Sequence, residues 1–202
     1  MGMGDAAGTE TRQESRRRQI LDAAIRCFRN NGFHATSMAA LAKEAGMSVG
    51  HIYHYFENKE AIIAAFIEEK FEDFRTYVET LKQHQGSIAD AMIEQVEAGY
   101  DGMSDPDKAG LFLEITVEAS RNPKVAAMVQ EADHTMRTTL AGMIAESCGC
   151  TEPDTEDRLM ARVDMIVTLY EGLTIRAIRN PGINRDSAIE AMRLAFDRLL
   201  SP

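Results

Sequence analysis

The chain is predicted to be all-α, with nine helices: a small N-terminal helix-turn-helix domain and a larger helical domain after it. Three observations carry this. Apolar residues recur at helical spacing along the 202 residues, and no segment alternates with the two-residue period of a strand. Asp105-Pro106, Asn122-Pro123 and Asn180-Pro181-Gly182 punctuate the C-terminal part where helices would start or stop. Thr36 to Lys59, TSMAALAKEAGMSVGHIYHYFENK, reads as two short helices around a sharp turn and the start of a third.

Residues 1–12 are expected to form a disordered arm, Gly- and Ala-rich at first and lacking the apolar centre of a signal peptide. The first helix is expected over 13–30. Thr11 and Glu14 have capping-box spacing, and Ile20, Ala24, Cys27 and Phe28 form its buried stripe. Asn30-Asn31-Gly32 stops it, and Phe33 folds back onto the small core. The cluster Arg16, Arg17 and Arg18 serves either solubility or contact with phosphates and the minor groove.

In the central stretch, Thr36 and Ser37 are placed to cap a helix whose apolar positions are Met38, Leu41, Ala42 and Ala45. Gly46 supplies a left-handed exit. Ser48 restarts the chain, and Val49, Ile52 and Phe56 stripe the next helix. Its other face is crowded with Gly50, His51, Tyr53, His54 and Tyr55, with Lys59 just beyond. Hydrogen-bonding groups on stiff rings suit base edges and phosphate oxygens. Val49, Gly50 and His51 are expected at bases, and Tyr53, Tyr55, Lys59, Thr36 and Ser37 at phosphates; His54 belongs to the same DNA-facing set. The domain is bounded at 13–58.

SVGHIYHYFENKEAI resembles the recognition-helix signature of TetR/AcrR-type bacterial repressors. Gly50, Ile52, Tyr53, Tyr55, Phe56, Lys59 and Glu60 stand in register with it, and the resemblance covers about Ser15 to Phe66. It implies nine helices and a ligand-responsive repressor. Such a protein binds a palindromic operator as a dimer and leaves it when a small molecule enters the C-terminal cavity.

Charge divides the same way. Residues 1–60 carry 8 Lys and Arg against 7 Asp and Glu, or +1; the rest carries 14 against 25, or −11, which together give the net −10. An acidic C-terminal part keeps off phosphates and leaves the head to face them.

The second domain is expected over 59–202, with helices at about 59–83, 87–103, 106–120, 123–147, 154–179 and 185–200. The helix over 154–179 is apolar on more than one side, and a surplus of this kind needs a cover. Val163, Ile166, Leu173, Ile189, Met192, Phe196 and Leu199 are therefore expected at an isologous dimer interface. The chain has 12 Met and no Trp. Phe66, Tyr100, Met103, Met136, Met165 and Tyr170 are candidates for an adaptable apolar wall around a ligand. Glu114, Glu118 and Glu171 stand out against it. Each needs a counter-charge, either from Arg121, Arg137 or Arg176 or from a cationic ligand. The expected effector is apolar, and cationic as well where one of these carboxylates lacks an internal Arg partner.

No nucleophile–base set, metal-ligand spacing or Gly-rich phosphate loop occurs, so neither a catalytic residue, a metal nor a cofactor is expected. Cys148-Gly149-Cys150 lacks nearby further ligands, and Cys27 reads as a small core residue. No apolar run approaches the ~20 residues that span a bilayer, and a reducing cytoplasm fits. A small all-helical enzyme or a non-DNA adaptor is the alternative, separable by a DNA gel shift.

Overall fold

The computed structural model describes residues 12–148 and 153–201. Among them are ten helices and no strand: α1 (Arg12–Ala35), α2 (Met38–Glu44), α3 (Val49–Tyr55), α4 (Lys59–Gln83), α5 (Ile88–Glu94), α6 (Val96–Met103), α7 (Pro106–Ala119), α8 (Pro123–Cys148), α9 (Pro153–Arg179) and α10 (Arg185–Leu200). Thr11, Cys150 and residues 1–11 of the expected arm lie outside the described residues, while Arg12 is already helical. The chain divides into two compact units, Met1–Ile63 and Ala64–Pro202.

In the first unit, α1 buries Ile20, Leu21, Ala23, Ala24, Cys27 and Phe28. Gly32 breaks its helical conformation at φ 77°, which a Cβ would strain, and turns Phe33 back until its ring lies 5.1 Å from that of Phe28. Ser37, not Thr36, caps α2: its Oγ accepts from the Ala40 N–H at 3.1 Å. The exit of α2 is a Schellman turn. Met47 N–H donates to Ala42 O at 2.9 Å and Gly46 N–H to Lys43 O at 3.1 Å, with Gly46 at φ 64°. Ser48 then caps α3 by accepting from the His51 N–H at 3.2 Å. Ile52 is fully buried, and Asn58 caps α4 through the Ala61 N–H at 2.8 Å.

The second unit packs α5 to α10 and most of α4 around Met92, Val96, Tyr100, Val163, Ile166, Ile189, Met192 and Phe196. The helix expected over 87–103 is two helices meeting at Gln95. Met92, Val96 and Tyr100 keep one buried stripe across the break, so the spacing of apolar residues does not betray it. The halves serve different partners: α5 packs on α8 and α10, and α6 on α7, α9 and α10. Three other starts follow the expected devices: Ser87 and Asp90 form a capping box, and Pro106 and Pro123 open their helices. Pro153, expected in a loop, opens α9, and Asn184 caps α10 at 2.9 Å.

The expected dimer residues require correction. Val163, Ile166, Ile189, Met192 and Phe196 are core residues of a single copy, and Leu173 and Leu199 pack partly buried against that core. The apolar surplus on these two helices falls elsewhere. Met165, Ile175 and Ile178 on α9 and Leu194 on α10 are 50%, 41%, 49% and 66% exposed.

Tyr170 packs, partly buried, against this core. Its ring meets Phe196 edge-on at 5.4 Å and presses on Gly99, where a Cβ would fall 2.5 Å from the hydroxyl and 2.6 Å from Cε1. Gly99→Ala is expected to destabilise the chain by about 1–3 kcal/mol through overpacking. In a Tyr170→Ala background the same substitution should cost little, and a double-mutant cycle on thermal melts measures the difference.

Candidate nucleic-acid interface and effector region

Recognition chemistry in the first unit collects on the outer face of α3. The seven residues of this helix split sharply: Ile52 is buried, while Val49, Gly50, His51, Tyr53 and His54 are exposed and Tyr55 is half-buried. Tyr53 is 53% exposed, and no heavy atom lies within 4 Å of a Cβ built on Gly50, so the start of the helix is open to a bulky partner. The Tyr55 ring stands 5.4 Å from His51 and 5.3 Å, edge-on, from His54. Arg12, Gln13 and Arg16 from α1 join His51, His54 and Tyr55 around one concavity.

The arginine cluster resolves into separate roles. Arg16 Nη1 donates to Gln19 Oε1 at 2.7 Å, and Gln19 Nε2 donates to Ala45 O at 2.7 Å, which ties α1 to the turn. The Arg17 guanidinium lies 5.4 Å from the Phe56 ring centroid, a cation–π arrangement. Arg12 and Gln13 escaped the sequence reading. The available signal was helical spacing, since Arg12 stands four residues before Arg16 and shares its face.

Two expected phosphate contacts are engaged inside the unit. Thr36 is 2% exposed; its hydroxyl donates to Gly32 O at 2.8 Å, with Cys27 O at 3.2 Å, and so fastens the exit of α1. Lys59 Nζ donates to Phe33 O at 2.5 Å and lies 3.4 Å from His34 O and 4.3 Å from the Phe33 ring centroid. This lysine clasps the segment after Gly32, and Ser37 keeps its exposed cap position. Burial pushes the Cys27 thiol above its ordinary value, as suits an inert core cysteine.

The effector candidates of the second unit differ in burial. Phe66 and Tyr100 are buried, Met103, Glu114, Met136 and Tyr170 are half-buried, and Met165 and Glu171 are exposed. Burial holds the Tyr170 hydroxyl up at about 12, in keeping with a packed core ring. A concavity in this unit is lined instead by Thr80, Gln83, His84, Ala91, Glu94 and Gln95.

The three carboxylates part company. Glu118, 3% exposed, closes the end of α7. Its Oε1 accepts from Asn122 Nδ2 at 3.0 Å, and Oε2 lies 3.7 Å from Arg121 Nε. Arg121 is thus the internal counter-charge, as one of the two expected readings has it. Glu114 is half-buried and has interactions of its own. Arg137 is committed to Asp133, at 2.7 Å, and to Asp164. Glu171 pairs with no described cation. Partial desolvation first and then the charge of Asp133 raise its carboxyl above the ordinary value.

Among the described residues no helix is long and apolar enough to cross a membrane, and no group of three metal-ligating side chains gathers. Residues 20–66 match the family of bacterial regulatory proteins called tetR, and residues 88–201 match the BetI-type transcriptional repressor C-terminal domain. The chain is 32% identical to the HTH-type transcriptional regulator UidR of Escherichia coli K12, over 79% of this chain and 81% of UidR. The structure of Salmonella enterica GusR superposes with a TM-score of 0.71 at 29% identity, covering 94% of this chain and 97% of GusR. FadR from Bacillus subtilis, in complex with stearoyl-CoA, shares the fold at 21% identity and a TM-score of 0.73, covering 91% and 97%. The capped corner at Gly46, the ring-bearing face of α3 and a matching C-terminal domain together place the chain in the tetR family, as a helix-turn-helix transcriptional repressor and not an enzyme.

Proposed function

We propose that the chain represses transcription as a homodimer, each copy laying α3 in a major groove, and that a small molecule held by the second unit releases it. The observation that carries this is the division of α3: one buried anchor, Ile52, beneath an exposed face of rings and small residues. Val49, Gly50 and His51 meet base edges. Tyr53, His54, Tyr55 and the Ser37 cap meet phosphates, and the chain acts in the cytoplasm, where the operator lies. A gel shift with the chain's own upstream DNA tests it, and absence of any retarded complex would leave the adaptor reading standing. His51→Ala should cost about 1–3 kcal/mol at one base pair and little elsewhere, read by binding to single-substitution operators. Lys59→Ala should act differently. Loss of its carbonyl bonds should lower the stability of the head by about 1–2 kcal/mol in thermal melts, with the salt slope of DNA binding nearly unchanged.

The dimer reading rests on the exposed apolar positions Met165, Ile175, Ile178 and Leu194. Exposed apolar side chains on these two helices gain by being covered by the same side chains of a second copy. Leu194→Glu should yield folded monomers, since the residue is 66% exposed in one copy and its loss leaves the core intact. Phe196→Glu should instead unfold the chain. Sedimentation together with circular dichroism distinguishes the two, and folded wild-type monomer at micromolar concentration would remove the dimer.

The effector is apolar in body and carries a cation for Glu171. Support comes from the Glu171 carboxyl, which faces the charge of Asp133 and no described cation, and from the half-buried Met103 and Met136. FadR takes stearoyl-CoA on this fold, so the fold admits a long apolar body. The sign of the pH dependence follows. A raised carboxyl pKa means that ionised Glu171 is penalised in the free protein, and the penalty fades as pH falls. A bound cation favours the ionised form, so binding expels a proton and tightens as the pH rises through the raised range of this carboxyl. Titration calorimetry in buffers of different ionisation heat should detect that proton, and Glu171→Gln should abolish it. Release from DNA by anions alone would remove Glu171 from the site.

A further inference from the structure

The concavity at the start of α1 has a chemistry that α3 alone would not create. Arg12, Gln13 and Arg16 enter it from α1, and His51, His54 and Tyr55 from α3, within about 380 Å³ of open space. Every lining side chain offers a hydrogen-bond donor and none is a carboxylate. Arg16 is steadied from one side by Gln19, which is itself tied to Ala45 O, so the guanidinium is held by the helix-turn-helix corner it serves. His54 meets the Tyr55 ring edge-on at 5.3 Å, a contact that limits its orientation. Two guanidinium groups and an imidazole around one depression form a receptor for a single anion. Duplex DNA presents phosphodiester anions along both rims of the groove that a recognition helix enters.

We propose that this concavity seats one backbone phosphodiester of the bound duplex, between Arg12 and Arg16 on one side and His54 on the other, and that DNA binding is thereby coupled to protonation of His54. The inference rests on the DNA-binding reading above and adds to it a defined phosphate site and a linked proton. Arg12 and Arg16 line the concavity with His54 from α1, and Tyr55 and His51 stand beside it on α3. A phosphate seated beside the imidazole favours its charged form, so the bound state takes up a proton. Histidine in general changes charge between about pH 5 and pH 8, which puts the coupling within reach of measurement. The affinity should rise as the pH falls.

The experiment is fluorescence anisotropy of the full chain with a labelled duplex from its own upstream region, at about pH 6 and about pH 8, across a salt series. The wild type should bind about fivefold more tightly at the lower pH, with a salt slope steeper by about one unit. His54→Gln should reduce the pH ratio to below about twofold, and Arg12→Gln should flatten the salt slope by about one unit at both pH values. Thermal melts check that both variants fold, as their exposure predicts. In the wild-type complex the His54 ring-proton resonances, followed by NMR, should titrate at higher pH than in the free chain. A wild-type affinity independent of pH would overturn the proposal, as would a pH ratio that survives His54→Gln. Failure of the wild type to bind any duplex would instead overturn the DNA-binding reading itself.

Discussion

The recognition helix depends on being held from outside itself. Seven residues are well below the length at which a helix is stable alone in water, because nucleation costs more than so few bonds return. α3 exists because Ile52 is fully buried, because Ser48 satisfies one orphan N–H, and because the Schellman turn at Gly46 fixes where the chain re-enters. α2, also seven residues long, is held in the same way by Leu41, Ala42 and the Ser37 cap. α2 leans on α1, through Gln19 at the Ala45 carbonyl and Arg26 at Glu44, 2.6 Å away, and α3 packs on α2. The face offered to DNA is therefore as rigid as the small core beneath it, and free of the charged side chains that a solvated helix would carry.

That support uses up much of the polar capacity of the head. Thr36 fastens the Gly32 break, Lys59 clasps Phe33 and His34, and Arg17 covers Phe56. Each looks like a DNA contact when only residue type and spacing are considered, since a hydroxyl or a cation beside a helix-turn-helix suits a phosphate. The alternative is invisible in the sequence because it depends on where Gly32 sends the chain. Once Phe33 folds back, its carbonyl and that of His34 need donors, and Lys59 is the cation in reach.

What was legible in the sequence has a common physical character. Helix ends written in Pro, Gly, Ser and Asn are local, so the bounds at Lys59, Pro106, Pro123, Arg185 and Leu200 could be read directly. The motif from Thr36 to Lys59 is local too. What stayed hidden depends on which side of a helix is used. On α9 and α10 apolar residues occur on several faces, and position alone does not tell core from outer surface; Val163 and Phe196 went inward, while Met165 and Leu194 remained outside. The break at Gln95 left no mark because the buried stripe runs through it. The effector wall faded for a related reason. Tyr170 reads as a ligand-facing ring, but Gly99, seventy-one positions earlier, removes the Cβ that would have kept it out of the core.

Charge then sets how the head can hold DNA. With +1 over residues 1–60, and with Arg17, Arg26 and Lys59 engaged on a ring, a carboxylate and two carbonyls, the head has no general basic surface to draw on. The acidic remainder adds repulsion rather than help. A protein with a large basic patch gains affinity from many loosely placed cations, each interchangeable with the next. Here Arg12 and Arg16 open onto the same depression as the rings of α3. Binding through a small number of well-placed contacts and through shape keeps non-specific affinity low. For a repressor that is an advantage, because the competing sites of a genome are discounted by the same electrostatics that leave the operator contacts intact.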